Sequence, residues 1–151
     1  MLVQERFKDY NKQHCWQYEI RLQNIEEDLK EIGLSKAEAE QLRTSDFDFA
    51  YVDKTNKETC AEIKQFIERH EWLGKIPNRP TQRFTARLKK NNALAGVVIM
   101  ATPNAFSHLL GKENRDLEKL VARGASISWA PKNLASWLVS SSVKWVVKHT
   151  N

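Results

Sequence analysis

Ser126-Ile127-Ser128-Trp129-Ala130-Pro131-Lys132-Asn133-Leu134-Ala135-Ser136 is the stretch on which the reading of this fold depends. Residues 124–129 alternate small or polar with apolar side chains, as a strand does. Pro131 stands where a helix accepts proline, in its first turn. Leu134, Trp137, Leu138, Ser141 and Trp145 then trace one stripe of a helix that runs almost to the last residue. A strand therefore passes through a short polar turn into a helix. Unpaired N–H groups and the positive end of the helix dipole converge at such a junction and suit an anion. Lys132 adds a formal charge there, and Asn133 and Ser136 add donors. A purely structural cap uses the same residues equally well. Neither Gly-x-Gly-x-x-Gly nor Gly-Lys-Ser/Thr occurs, so neither a dinucleotide-binding fold nor a P-loop is indicated.

The rest of the chain is read outward from that junction. Residues 113–122 have the pattern of a short helix. Residues 82–90 and 94–102 form a hairpin around Asn91-Asn92. In its first strand Phe84, Ala86 and Leu88 face one way, while Arg83, Thr85 and Arg87 face the other. Val97-Val98-Ile99-Met100 is apolar on both faces, which predicts a central strand. Earlier, Phe47–Val52 reads as a strand. Thr55-Asn56-Lys57-Glu58 reads as a capping box opening a helix with Cys60, Ile63, Ile67 and His70 on one face. Gly74, Pro77 and Pro80 then break the chain into a loop. Residues 12–32 have helical spacing at Trp16, Ile20, Ile25, Leu29 and Ile32, ended by Gly33. Ser35-Lys36-Ala37-Glu38 starts a second short helix reaching about Leu42. The expected class is α/β (α+β): a mixed sheet in the order β-α-β-β-(α)-β-α over residues 46–151, preceded by a helical extension over residues 1–45.

The 151 residues are enough for one domain with a real core, and 41% hydrophobic with 28% charged residues fits a soluble protein. No apolar run approaches the roughly 20 residues of a membrane span, and the N-terminus lacks a signal core. A cytoplasmic location is expected. Cys15 and Cys60 lie far apart without Cys-x-x-Cys spacing, so reduced thiols fit better than a disulfide, although a disulfide is compatible with the spacing. His14, His70, His108 and His149 are scattered, and no metal is predicted.

Charge is distributed unevenly. Residues 1–71 carry 11 Lys/Arg and 16 Asp/Glu, whereas residues 72–151 carry 13 basic and three acidic residues. A strongly basic half suggests a nucleic-acid or phosphate-bearing partner; ordinary solubilising charge is the plainer account.

Three stretches carry a resemblance. They are His70-Glu71-Trp72-Leu73-Gly74, the strand from Leu94-Ala95-Gly96-Val97-Val98 to Ala101-Thr102-Pro103-Asn104, and Arg123-Gly124-Ala125-Ser126-Ile127-Ser128-Trp129-Ala130-Pro131-Lys132-Asn133. Over residues 46–151 they resemble the Mom family of bacteriophage DNA-modifying proteins, whose fold is that of GNAT acyltransferases. The resemblance implies a transferase, with an acyl-CoA-like donor, acting on adenine in DNA in the host cytoplasm. It implies that Lys132, Asn133 and Ser136 hold the donor's phosphates and that Ser128 and Trp129 line the reacting cleft. Lys75, Arg79, Arg83, Arg87, Lys89 and Lys90 would follow a DNA or RNA backbone, with Trp72 stacking on a base. Tryptophans are also ordinary core residues, Arg83 and Arg87 suit a solvated strand face, and His70 or Glu71 fits either a general base or a helix end.

The same resemblance predicts further C-terminal strands that this sequence, ending at Asn151, does not contain, and with them the expected catalytic residues. Three functions are considered: a Mom-like DNA base-modifying acyltransferase, a non-catalytic module binding nucleic acid or a host protein on the same fold, and a protein or small-molecule N-acetyltransferase, which needs the same cofactor turn but leaves the basic loop unexplained. An open edge along residues 124–129 is expected to recruit a second copy or a partner protein.

Overall fold

The computed structural model describes residues 16–103, 111, 113–114 and 118–149. Residues 12–15 of the expected first helix, Cys15, and Asn104 of the quoted strand lie outside them.

Helix α1 spans Trp16–Ile32. It stops at Gly33, whose φ of +68° is the left-handed conformation that glycine adopts without strain. Gly33 N–H donates to Lys30 O at 3.2 Å and Leu34 N–H to Leu29 O at 3.1 Å, the paired closure of a helix end. Helix α2 is short, Lys36–Glu40, and begins with the expected capping box. Glu38 N–H donates to Ser35 Oγ at 3.1 Å, and Ser35 N–H donates back to Glu38 Oε2 at 2.9 Å. A single 3-10 turn, Thr44–Asp46, leads into strand β1, Phe47–Val52.

Helix α3 spans Lys57–His70, but its cap is not the expected Thr55 box. Asn56 is the N-cap and accepts from Thr59 N–H at 3.1 Å. Thr55 sits one residue too early and is held by Asp53 Oδ1, which accepts both its N–H at 2.9 Å and its hydroxyl at 2.7 Å. Strands β2, Pro80–Leu88, and β3, Leu94–Ala101, form the expected hairpin. Every residue of β3 is buried, so it is central as its two-sided apolar sequence requires.

Strand β4 spans Leu120–Ser126, and helix α4 spans Leu134–His149. Two expectations are corrected here. Residues 120–122 belong to β4 rather than to a helix over 113–122, because Leu120 and Val121 pair with Ala101 and Met100 along β3. Tertiary pairing overrides a weak local helical preference. Strand pairing also ends earlier than residue 129. Ser126 pairs with Gly96, Ile127 N–H still donates to Ala95 O at 2.8 Å, and Ala130 N–H to Ile127 O at 3.0 Å turns the chain away.

The sheet order is β1-β2-β3-β4, and all three pairings are antiparallel. The expected mixed sheet is therefore corrected: among the described residues no parallel pair exists. Helix α3 crosses the sheet and the loop after it returns the chain to the end where β1 finished, so β2 runs back along β1. Among the described residues the architecture is mixed α+β, with a four-strand antiparallel sheet and four helices.

Alternation along the strands sends Phe49, Tyr51 and Phe84 to the face covered by α4. There Trp145 stacks on Tyr51 with ring centroids 4.2 Å apart, and Trp137 meets Phe49 edge-on. Gly96 permits the close approach of α4, since a Cβ at that position would lie 2.9 Å from Leu138 Cδ2. The opposite face carries Thr85 and Arg87 and is covered by α3 through Ile63, Phe66 and Ile67. Leu29 of α1 and Ala39 of α2 are buried in the same apolar cluster as the sheet residues. The helices of residues 16–40 thus share one core with the sheet.

Candidate functional site: the turn before α4 and its cleft

The turn between β4 and α4 is held from outside by α1. Arg21 donates to Ser128 O at 3.3 Å, to Ala130 O at 3.0 Å and to Ser126 Oγ at 3.4 Å. Burial lowers the Arg21 pKa, but three acceptors match its fork of donors. Two turns further along α1, Asp28 is 1% exposed and accepts from Ser128 Oγ–H at 2.6 Å. Its other oxygen accepts from Arg69 Nη2 at 2.8 Å and Nε at 3.3 Å. His70 Nδ1 stands 3.9 Å from the same carboxylate. A buried carboxylate survives only when its lone pairs are matched in this way.

His70 is itself buried beside Phe66, and its pKa is lowered to about 4 by that burial, with Asp28 opposing and Arg69 reinforcing the shift. Gln17 donates to His70 O and accepts from Trp72 N–H, fixing the end of α3 to α1. Glu71 is also buried. Its pKa is raised by desolvation against the opposing N–H groups of Gly74 and Leu73, each 2.9 Å from Oε2, and the charge of Arg123. His70 and Glu71 therefore close a helix end and a turn.

Beside the held turn lies a cleft of about 680 Å³. One wall is Ser128 to Asn133. The other comes from the α2 region, with Lys36, Glu40, Arg43 and Thr44. Three cations, Lys36, Arg43 and Lys132, face one carboxylate, Glu40. Asn133, immediately before α4, closes the same end, so the cations and the positive end of the helix dipole favour an anion. Trp129, 3% exposed, lines the cleft and stacks on Phe47. Its indole Nε1 is a buried donor with no acceptor among the described residues.

Of the residues expected to hold a donor, Ser128, Trp129, Lys132 and Asn133 line this cleft. Ser136 does not: it is exposed and its hydroxyl donates to Asn133 O at 3.1 Å. Ser128 lines the cleft with its hydroxyl committed to Asp28. The residues expected to follow a nucleic acid are divided. Lys75 and Arg79 lie before β2, whereas Lys89 and Lys90 follow it, across nine strand residues that span roughly 26 Å. Lys75 offers its carbonyl to Arg123 Nε at 3.0 Å. Arg83 is half-buried within the sheet. Arg87 is paired with Glu62 on α3, at 3.0 Å for Nη1–Oε1. Trp72 is half-buried, with its N–H bound to Gln17. Lys89 and Lys90 instead border a second hollow of about 460 Å³, lined also by Leu34, Glu38, Leu42, Asp46 and Leu88. Leu42 lines both hollows.

Lys36, Arg43, Arg21 and Asp28 were not singled out as site residues by the sequence. Nothing in the sequence joins residues 36–43 to residues 128–133. Asp28 did carry a signal, because it falls on the apolar stripe of α1 with Ile25 and Ile32, where an acid needs a buried partner.

Among the described residues no group of three or more His, Cys, Asp or Glu is arranged to hold a metal, and no helix is long and apolar enough to cross a membrane. Cys60 is half-buried, with its thiol 3.7 Å from Asp53 O. Comparison with family models, curated proteins and solved structures finds no match for this chain.

Proposed function

We propose that this chain is an acyltransferase-like protein directed at DNA, holding a phosphate-bearing donor in the cleft between residues 36–44 and the head of α4. One observation carries the reading. Lys36 and Arg43, from one short stretch, and Lys132, from a distant one, converge on one cleft beside a helix N-terminus, against the carboxylate of Glu40. Such a donor set fits the pyrophosphate of an acyl-CoA-like molecule. When bound, the donor supplies the activated acyl group. The chain's own part is to bind and orient it through Lys36, Arg43, Lys132 and Asn133. Lys89 and Lys90 border the neighbouring hollow, so a DNA backbone would be met at this end of the sheet rather than along β2.

Calorimetric titration of CoA into the protein tests the donor site. Replacing Lys132 or Arg43 by Ala weakens binding about tenfold each, the scale of one lost charge-assisted contact, while Lys75→Ala changes nothing. No heat of binding with folded protein rules the donor site out. Mass spectrometry of nucleosides from cells expressing the chain tests the reaction: a heavier deoxyadenosine supports transfer. One observation favours a second reading, a non-catalytic nucleic-acid-binding module. The Ser128 hydroxyl is bound to Asp28 rather than presented to a reacting group. An unchanged nucleoside profile together with salt-sensitive DNA binding supports that reading.

A further inference from the structure

Of the two edges of the sheet, β1 is guarded and β4 is not. Strand β1 carries the exposed Asp48 and is followed by the exposed Asp53 and Lys54. Charges so placed keep an edge strand from pairing with another chain. Strand β4, Leu120–Ser126, pairs with β3 alone among the described residues. Its one charged residue is Arg123, and that side chain is folded back. Nη1 donates to Ala122 O at 2.7 Å and Nε to Lys75 O at 3.0 Å, while its charge acts on the buried Glu71. Ile127 N–H donates to Ala95 O, so the alternation of an antiparallel ladder turns the N–H and C=O of Gly124 and Ser126 away from β3. Among the described residues the approach to them is open. Leu120 and Val121 are 49% and 43% exposed, and a Cβ built on Gly124 would meet only Val97 O at 3.6 Å and Val98 Cγ2 at 3.8 Å.

We propose that β4 is a self-association edge, pairing antiparallel with β4 of a second copy of this chain so that Gly124 lies opposite Gly124. The sheet then continues through eight strands, four from each copy. The outward-facing groups set the register. Gly124 exchanges both backbone hydrogen bonds with its counterpart, and Arg123 falls opposite Ala125 rather than opposite a second Arg123. A two-fold pairing of this kind closes both open edges at once and leaves the charged β1 strands at the two ends. It needs no ligand in the cleft and is independent of the acyltransferase reading. An edge of seven residues buries less than a standard interface, so association is weak, with a Kd on the order of 10 µM.

Light scattering on the whole chain should show the mass rise from one chain to two as the concentration passes that value. Gly124→Lys should weaken association at least about tenfold, because two ammonium groups would face each other across the axis. The space at Gly124 admits the side chain without disturbing the monomer. Gly124→Cys reports the register directly. Opposed Cα atoms in a hydrogen-bonded antiparallel pair lie about 5.5 Å apart, within disulfide reach. Mild oxidation should cross-link this variant into dimers far more completely than Asp48→Cys or the unaltered chain. In the unaltered protein, exchange of the Gly124 and Ser126 amides should slow about tenfold between dilute and concentrated samples, a readout that depends on no variant. A chain that stays monomeric at about twenty times the expected Kd overturns the proposal. So does a dimer that forms equally well in Gly124→Lys, or one that fails to cross-link through Gly124→Cys.

Discussion

The Ser128 hydroxyl donates to the Asp28 carboxylate at 2.6 Å across 100 residues of chain, and this bond joins the first helix to the turn that forms the cleft. The same carboxylate receives Arg69 from α3. One side chain of α1 therefore ties two otherwise separate elements together, and Arg21 reinforces the tie by binding the carbonyls of Ser128 and Ala130.

Removing that carboxylate should be costly. Asp28→Ala leaves Arg69 and Ser128 without their partner in a buried position, and the expected loss is about 2–3 kcal/mol. Arg69 retains some access to water, which places the cost below that of a fully enclosed pair. Urea denaturation measures it; a loss below about 0.5 kcal/mol would show that the network contributes nothing net.

Acid should weaken the fold through His70. Its folded pKa is lowered to about 4 from an ordinary value of 6.5, so between those limits the unfolded chain binds more protons. The stability this His confers is complete above about pH 6.5 and is lost as pH falls toward 4, by up to about 3 kcal/mol. Glu71, raised by burial, acts in the opposite sense just above its ordinary value. Denaturation midpoints at pH 4.5 and 7 should therefore differ less in His70→Gln than in the unaltered protein. Equal differences in the two proteins would remove His70 from the account.

Gly96 should tolerate no larger residue without cost. Gly96→Ala places a methyl 2.9 Å from Leu138 Cδ2 in the centre of the sheet, and the expected loss is about 1–2 kcal/mol. Leu138 can shift its end methyl, which limits the penalty for Ala; Gly96→Val should cost more. Combining Gly96→Ala with Leu138→Val should recover part of the loss. Strict additivity would show that the two side chains do not meet.

Trp129→Phe separates packing from ligand binding. Phe retains an aromatic ring over Phe47 and deletes the buried N–H that lacks an acceptor. Stability should change by less than about 1 kcal/mol, because a lost orphan donor offsets lost volume. CoA affinity should fall roughly fivefold if a ligand oxygen completes that bond. Unchanged affinity would mean that the indole N–H has no part in the site.

Much of the architecture was legible because its signals are local. The Ser35–Glu38 capping box, the glycine stop at residue 33 and the two-sided apolar run of β3 each depend on neighbouring residues. Where the reading failed, a competing partner decided, distant in one case and two residues away in the other. Leu120 and Val121 became strand because β3 had a free side there, and Thr55 lost its cap to Asp53. Within the expected site, residues 128–133 were legible from the strand-to-helix turn. Lys36 and Arg43 were not, since only the packing of α2 carries them to that turn.

By itself the sequence determined most of the helices and strands, residues 120–122 excepted, through periodicity, caps and turn residues, and it marked one polar turn as a place for an anion. The tertiary structure alone decided the antiparallel order of the sheet, the shared core of the N-terminal helices, and which charges remain available. Arg87 and Lys132 look alike in sequence, yet Arg87 is paired with Glu62 while Lys132 faces a cleft. The physical reason is distance: a charge is fixed or neutralised by what lies a few ångströms away in space, and those neighbours come from residues tens of positions away in the chain.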